Sequence, residues 1–261
     1  MRTETIPTEL IFGIPVARLT MLETLLAVEE AIEDKRQIHH IVVNAGKIVS
    51  MQKDPELRDS VLEADLINAD GMAVVWASKL LGKSLPERVA GIDLMENLVK
   101  MAHENRYKVF FLGAREEVVK QCVDHYSELY SPALVAGYQN GYFTKEEEAD
   151  VAAQIADSGA NILFVAMTSP MKEIFLEKYK QVLSRVNMIM GVGGSFDVVA
   201  GKVKRAPVWM QKAGLEWFYR FIQEPKRMWK RYLVGNSKFM MLTLKEVFSP
   251  VRYPKAKPVT T

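Results

Sequence analysis

The chain has 261 residues, 49% of them apolar and 25% charged, which is typical of one globular α/β domain and excludes a disordered chain. A single cysteine, Cys122, excludes an internal disulfide framework and a cysteine-based zinc site. No signal-peptide pattern follows Met1 and no apolar run is long enough to cross a bilayer, so we expect a cytoplasmic protein.

The charges are unevenly distributed. Residues 201–261 hold 14 basic and 3 acidic residues, whereas the rest of the chain holds 20 basic and 29 acidic residues. Three of the four tryptophans, Trp209, Trp217 and Trp229, lie in the basic part. A basic segment rich in aromatic residues favours a negatively charged partner, which could be anionic lipid, nucleic acid or a polyphosphate ligand. The alternative is that these aromatic residues pack against the remainder of the chain.

Strand and helix patterns alternate along the first 200 residues. Apolar strands are predicted at 10–19, 41–43, 66–67, 108–112, 134–138, 161–167 and 187–190. Helices are predicted at 20–32, 47–51, 54–64, 72–81, 93–105, 116–130, 144–158 and 173–183. This alternation favours a largely parallel, Rossmann-like sheet with helices on both faces.

No strand pattern returns after Pro207, and helices are predicted at 215–223, 226–233 and 237–248. We therefore expect an α/β domain over residues 1–200, a basic, aromatic-rich helical appendage over 201–248 and a flexible tail over 249–261.

Two charged residues stand out because ligands of parallel sheets bind beyond the carboxyl ends of the strands. Asp70 follows a predicted strand and precedes Gly71, so its carboxylate can reach into a cleft. The alternative is that Asp70 caps the helix that begins at Met72. Arg88 lies in an E-R-V-x-G loop, where its guanidinium fork can meet a phosphate. The alternative is a surface ion pair.

A glycine-rich turn at residues 191–194 follows the last predicted strand, and Ser195 is the predicted N-cap of a short helix over 196–200. Such a turn lets backbone N–H groups approach an anion, although a strand-to-helix turn packed on a neighbour fits equally well. Phe196 stands where the dinucleotide-binding fingerprint requires glycine. No D-x-D occurs, and the four histidines lack metal-ligand spacing, so we expect any diphosphate to be neutralised without a metal.

Many short sequence motifs follow one another along the chain. They are N-A-D-G-x-x-V, E-R-V-A-G-I-D-L, V-F-F-L-G, G-Y-Q-N-G-Y-F, S-P-x-x-E, G-V-G-G-x-F-D, A-G, R-A-P, G-L-E-W, Y-R and E-P-x-R. Together they resemble the WecG/TagA/CpsF bacterial glycosyltransferases (glycosyltransferase family 26) over about residues 11–233. The resemblance implies inverting transfer from a nucleotide-sugar, usually a UDP-sugar, to a polyprenyl-diphosphate-linked sugar at the inner face of the cytoplasmic membrane. Such reactions build teichoic acid, common antigen, capsule or exopolysaccharide.

The same resemblance implies roles for individual residues. Asp70 is the implied general base, and Arg88 is an implied phosphate or substrate contact. The implied substrate-binding residues are Asn44, Gly71, Gly113, Ser169, Pro170, Lys172, Glu173, Gly191, Gly193, Gly194, Asp197, Arg205, Arg220, Arg227 and Arg231. No metal or other cofactor is expected.

Two positions depart from the family pattern. Val42 stands where members commonly carry Thr, and Lys172 stands where the common P-K-Q-E motif has Gln. These changes leave open a different donor or acceptor, or weakened activity. A non-catalytic α/β module that binds anionic membrane or nucleic acid through its basic tail is the alternative function, although no nucleic-acid-binding motif is present. We also expect a homo-oligomer that associates through the α/β domain, and peripheral attachment to an anionic membrane surface.

Overall fold

The computed structural model of the protein describes residues 6–229 and 234–249. The chain begins with an antiparallel hairpin of β1 (Thr8–Ile11) and β2 (Ile14–Ala17). This hairpin corrects the single strand predicted over residues 10–19. Phe12 and Gly13 form its turn with φ values of 52° and 75°. A two-residue turn with both φ values positive matches the twist of paired strands, but an aromatic residue is rare at its first position.

Six further strands form one sheet in the order β4-β3-β8-β7-β5-β6. They are β3 (Ile38–Val43), β4 (Leu66–Ala69), β5 (Val109–Gly113), β6 (Val135–Gln139), β7 (Ile162–Ala166) and β8 (Met188–Gly191). The pairs β3–β8, β8–β7, β7–β5 and β5–β6 are parallel. Parallel strands are covered by helices on both faces, which explains their continuous apolar runs. The Rossmann-like α/β prediction is confirmed.

Thirteen helices occur in the described part of the chain. They are α1 (Met21–Glu33), α2 (Ala45–Met51), α3 (Pro55–Leu62), α4 (Met72–Leu80), α5 (Gly91–Glu104), α6 (Glu116–Leu129), α7 (Glu148–Asp157), α8 (Met171–Lys178), α9 (Ser195–Val199), α10 (Val208–Lys212), α11 (Glu216–Gln223), α12 (Pro225–Trp229) and α13 (Gly235–Phe248). None of these helices combines the length and the apolar content that a bilayer span requires.

Three predicted helix ends are wrong. The helix predicted over 144–158 begins at Glu148, and the Thr144 N–H donates to Glu147 Oε2 ahead of it. The helix predicted over 173–183 ends at Lys178, and a separate 3₁₀ turn covers Val182–Arg185. Ser195 does not cap α9, because Gly194 occupies the N-cap position and the buried Ser195 hydroxyl donates to the Val192 carbonyl at 2.8 Å. The hydroxyl therefore satisfies the turn before the helix.

The chain forms two compact units. Within the described residues, the first unit comprises 6–21, 41–90 and 204–249, and the second comprises 22–40 and 91–203. The core of the first unit includes Phe12, Ile48 and Phe239, and the core of the second includes Phe110, Leu163 and Phe175.

The C-terminal helix α13 belongs to the core of the first unit. It packs on α2, and the Phe239 ring, 5% exposed, meets Phe12 edge to face with 5.5 Å between ring centroids. Burying such a ring contributes about 2 kcal/mol or more. This part of the predicted appendage is therefore structural, in line with the packing alternative. Most of the predicted tail, from residue 250 on, lies outside the described residues.

Candidate active site

Asp70 lies directly beyond the carboxyl end of β4. Its backbone N–H donates to the Val43 carbonyl at 2.9 Å, so the loops after β3 and β4 start side by side. Gly71 occupies the N-cap position of α4. Asp70 therefore lies one residue before the N-cap position that the alternative explanation gave it. The half-buried carboxylate remains the best-placed acid for chemistry on the first unit.

Asn44 lies against the same loop. Its Oδ1 caps α2 by accepting from the Lys47 N–H at 3.0 Å. A Cβ built on Gly71 would lie 3.6 Å from the Asn44 Cβ, which is ordinary contact. The structure thus brings two predicted binding residues, Asn44 and Gly71, next to Asp70. The cap fixes the direction of the Asn44 amide, because that amide anchors the first turn of α2.

The loop that carries Arg88 returns to the same strand end. The Val89 N–H donates to the Ala69 carbonyl at 3.0 Å, so Arg88 and Asp70 flank this backbone hydrogen bond. The segment between α10 and α11 packs nearby. A Cβ on Gly214, whose φ is 72°, would lie 3.0 Å from Met72 in the first turn of α4. Only glycine suits that combination of positive φ and close approach.

Three arginine side chains meet one carboxylate on this unit, and we call Arg88, Arg205, Arg220 and Glu216 the arginine cluster. Arg88 Nη1 lies 3.1 Å from Glu216 Oε2, while Arg205 Nε and Arg220 Nη2 lie 3.6 and 3.9 Å from Oε1. The Arg88 and Glu216 side chains are 14% and 15% exposed. The ion pair expected as the alternative for Arg88 exists, but it is largely buried rather than on the surface.

The cluster has more positive than negative charge. Three guanidinium groups face one carboxylate, so these four side chains together are cationic. Partly buried charges interact more strongly than charges in water, and guanidinium groups bind phosphate oxygens in pairs. The arrangement can therefore attract and orient a phosphate or diphosphate. Glu216 was not among the predicted site residues, although its place four residues before Arg220 allows a pairing across one helical turn.

A second polar cluster lies on the second unit, and we call Ser169, Lys172 and Glu173 the lysine cluster. Lys172 Nζ lies 2.8 Å from Glu173 Oε1, and the Ser169 hydroxyl donates to the same oxygen at 2.8 Å. Burial by itself raises the pKa of Glu173. The positive charge and hydrogen bond of Lys172, a backbone N–H and the Ser169 hydroxyl outweigh burial and hold that pKa below its ordinary value.

The lysine cluster packs against Gly191 at the end of β8. A Cβ at position 191 would lie 3.0 Å from Lys172 Nζ and 3.1 Å from its Cδ and Cε. The lysine stem therefore lies along the backbone at position 191. A side chain there would press on a lysine that is only 9% exposed. Gly191 is explained by packing against Lys172.

Gly113 is explained by packing as well. Its φ is 113°, and a Cβ there would lie 2.5 Å from the Ala166 backbone. Gly193 and Gly194 are exposed, and a Cβ on Gly194 would lie 3.7 Å from the Asp197 carboxylate. Burial first, and then the charge of Asp197, raise the pKa of Cys122 to about 12. That thiol, whose Sγ lies 3.3 Å from the Phe196 carbonyl oxygen, is chemically quiet.

The structure distributes the other predicted residues as follows. Pro170 is the N-cap residue of α8, and Asp197 lies in the first turn of α9. Arg227 lies in α12, with its side chain outside the described part, and Arg231 falls between the two described ranges. Val42 is a half-buried residue of β3. The predicted residues thus form two groups, one on each unit.

No group of three or more His, Cys, Asp or Glu side chains that could hold a metal ion occurs within residues 6–229 and 234–249. The expectation of a metal-independent reaction stays a prediction.

Comparison with known proteins identifies the family. The model of the WecG/TagA/CpsF glycosyl transferase family matches residues 9–253. The chain is 36% identical over 222 residues to the N-acetylglucosaminyldiphosphoundecaprenol N-acetyl-beta-D-mannosaminyltransferase of Bacillus subtilis (strain 168), covering 82% of this chain and 85% of that protein. The enzyme of the same name from Bacillus spizizenii (strain ATCC 23059 / NRRL B-14472 / W23) is 38% identical over 181 residues, 69% of each chain. The protein belongs to the WecG/TagA/CpsF family and is a glycosyltransferase.

Proposed function

We propose that the protein transfers an N-acetylhexosaminyl group from a UDP-sugar to a polyprenyl-diphosphate-linked sugar, with inversion at the anomeric carbon. The arginine cluster carries this proposal, because it lies beside the strand end that bears Asp70 and because each substrate contains a diphosphate. The names of the two Bacillus relatives support the substrate class, since both act on N-acetylglucosaminyldiphosphoundecaprenol. The product belongs to the assembly of a bacterial surface polysaccharide.

Asp70 acts as the general base. Its carboxylate takes the proton from the attacking hydroxyl of the acceptor sugar while that oxygen bonds to the anomeric carbon. The bond from the anomeric carbon to the donor diphosphate breaks at the same time, and its electron pair leaves with UDP. A single displacement of this kind inverts the configuration.

The arginine cluster supplies fixed positive charge. Negative charge develops on the leaving diphosphate, and stabilising such charge is usually the largest contribution to catalysis. Arg88 and Arg220 are 14% and 36% exposed, so their guanidinium groups are only partly screened by water. The residues of this chain can therefore perform the transfer without a metal.

A panel assay tests the proposal. The full chain is incubated with UDP-N-acetylmannosamine, UDP-N-acetylglucosamine and UDP-glucose, each with and without a short-chain prenyl-diphosphate-linked N-acetylglucosamine. We expect UDP release from an N-acetylhexosamine donor only when acceptor is present, with the same rate in excess EDTA. No acceptor-dependent release from any donor would contradict the proposed function and favour the non-catalytic module. A rate abolished by EDTA and restored by Mg²⁺ would contradict metal independence alone.

We further propose that the protein docks on an anionic membrane through its basic, aromatic segment. Trp217, Phe218 and Ile222 of α11 are 38%, 42% and 60% exposed. Basic residues such as Lys226 lie close by in the sequence. Aromatic rings suit the headgroup boundary, and each basic residue near an anionic surface contributes about 1 kcal/mol. An acceptor held in the membrane by its lipid has to be met at that boundary.

A further inference from the structure

We propose that Glu216 is an internal substitute for the substrate diphosphate. In the free enzyme it holds the arginine side chains of the cluster together, and it is released from them when a diphosphate binds. This inference rests on the proposed function, because it assumes that the arginine cluster is the diphosphate site.

The contacts of the Glu216 carboxylate differ in length. Oε2 lies 3.1 Å from Arg88 Nη1, which is hydrogen-bond distance, and this bond joins residues 128 positions apart. Oε1 lies 3.6 Å from Arg205 Nε and 3.9 Å from Arg220 Nη2, which is beyond a direct hydrogen bond. Charge-assisted N–H···O bonds are ordinarily about 2.7–2.9 Å long. One carboxylate therefore bridges three guanidinium groups without closing tightly on all of them.

The charge balance favours exchange for a diphosphate. A carboxylate supplies one negative charge to three cations, whereas a diphosphate supplies more charge and more acceptor oxygens. Two anions cannot share the centre of the cluster without strong repulsion, because the side chains there are largely buried. Binding of the diphosphate and retention of Glu216 at the centre are therefore alternatives.

The position of Glu216 in the fold allows it to leave. It is the first residue of α11, and Arg220 follows one turn later on the same helix. Arg88 belongs instead to the loop that returns to the end of β4. Rotation of the Glu216 side chain breaks the link to Arg88 without unwinding α11, and the N-terminus of a helix still favours its negative charge. The backbone can stay in place while the anion changes.

A competing internal anion lowers the apparent affinity for the substrate. The apparent dissociation constant of a diphosphate equals the intrinsic constant divided by the fraction of molecules in which Glu216 has left the cluster. Removing the charge while keeping the shape should therefore tighten binding. A mere scaffold would behave in the opposite way, because loss of the carboxylate would let the arginine side chains separate and weaken binding.

Titration calorimetry with inorganic pyrophosphate on the full chain separates these outcomes. We expect Glu216→Gln to bind pyrophosphate about tenfold more tightly than the wild type. The matched control is Glu63→Gln, an exposed glutamate of the same unit that makes the same change in net charge, and its affinity should stay within about twofold of the wild type. Unchanged or weaker binding by Glu216→Gln would overturn the inference.

Two further variants keep the result interpretable. Arg220→Ala should weaken pyrophosphate binding in both the wild-type and the Glu216→Gln background. If it does so while Glu216→Gln gives no tightening, only the role of Glu216 fails. If it leaves binding unchanged, the proposed diphosphate site itself is wrong. Should Glu216→Gln not fold, Glu216→Asp, one methylene shorter and still charged, should bind pyrophosphate several-fold more tightly, and weaker binding would count against the inference.

Discussion

The arginine cluster and the lysine cluster differ in the ratio of cations to carboxylates and in the distances between them. In the arginine cluster, three cations share one carboxylate at 3.1–3.9 Å. In the lysine cluster, one cation meets one carboxylate at 2.8 Å, with a hydroxyl on the same oxygen. Within the arginine cluster the cations outnumber the carboxylate three to one, whereas the lysine cluster has one cation for one carboxylate. This difference predicts chemistry and anion binding at the first cluster and a structural role at the second.

The comparison also bears on the departure at position 172. A lysine where the family commonly has glutamine adds a charge to the chain, but Glu173 neutralises that charge within the same helix. The side chain is 9% exposed and lies along Gly191, so it has little freedom to reach a substrate. We therefore expect the departure to alter local stability more than donor choice.

The largest effect is expected at Asp70. Asp70→Asn removes the proton acceptor while preserving the size of the side chain, so kcat should fall by about two to four orders of magnitude. Acceptor-dependent UDP release measures the loss, and circular dichroism should show an unchanged fold. Asp59→Asn, at an exposed position on α3, is the control and should keep full activity. Turnover within about tenfold of the wild type would contradict the assignment of the base.

Arg88 should have the next largest effect. Arg88→Ala removes the tightest contact of Glu216 and one of the charges proposed to face the diphosphate, so kcat/KM should fall by about a hundredfold or more. Arg88→Lys keeps the charge but loses the paired N–H donors, and should recover only part of the activity. Steady-state kinetics with both variants measures the change in kcat/KM. Full activity of Arg88→Ala would place diphosphate recognition elsewhere.

The lysine cluster should respond in stability rather than in chemistry. Lys172→Met leaves the Glu173 carboxylate largely buried without its counter-ion, which should lower the free energy of unfolding by about 3 kcal/mol. Adding Glu173→Gln to Lys172→Met should restore part of that loss, because no buried charge then remains. Urea denaturation of the wild type, the two single variants Lys172→Met and Glu173→Gln, and the double variant measures the coupling. A large loss of kcat in the folded Lys172→Met variant would contradict the structural role.

The ion pair of Lys172 and Glu173 should also affect how the free energy of unfolding depends on pH. The pKa of Glu173 is lower in the folded protein than its ordinary value, so folding favours the ionised carboxylate. The stabilisation is present above the unfolded pKa and is lost as the pH falls through the folded pKa. The difference in unfolding free energy between the wild type and Glu173→Gln should therefore shrink from pH 6 toward about pH 3. A difference that stays constant over that range would exclude this linkage.

The sequence predicted the sheet because buried parallel strands such as β5 and β7 are apolar runs between clear helix patterns. It missed the hairpin because Phe12-Gly13 is not a common turn pair. It singled out Asp70 from its place after a predicted strand and Arg88 from its loop, and it could not reveal that Glu216 meets Arg88, since 128 positions separate them. The ion pair of Lys172 with Glu173 was equally hidden, because adjacent residues in a helix do not ordinarily face each other.

The smallest effect is expected from membrane docking. Trp217 and Phe218 are 38% and 42% exposed, so Trp217→Ser with Phe218→Ser removes apolar surface that is open to solvent together with some that is buried. Binding to vesicles that contain anionic phosphatidylglycerol should fall about tenfold, and circular dichroism should show that the double variant is folded. Leu22→Ser on α1, 65% exposed, is the matched control and should bind as the wild type does.

Two other results would contradict membrane docking through α11. Unchanged vesicle binding by the double variant would show that the exposed face of α11 does not contact lipid. If sedimentation shows that the double substitution lowers the oligomeric mass, the same face joins copies of the chain, whereas we expect a homo-oligomer through the α/β domain. Membrane docking through α11 then fails, while the assignment of the arginine cluster stands. The reason is that the cluster depends on the contacts of Glu216 with Arg88 and Arg220, and not on the aromatic rings of α11.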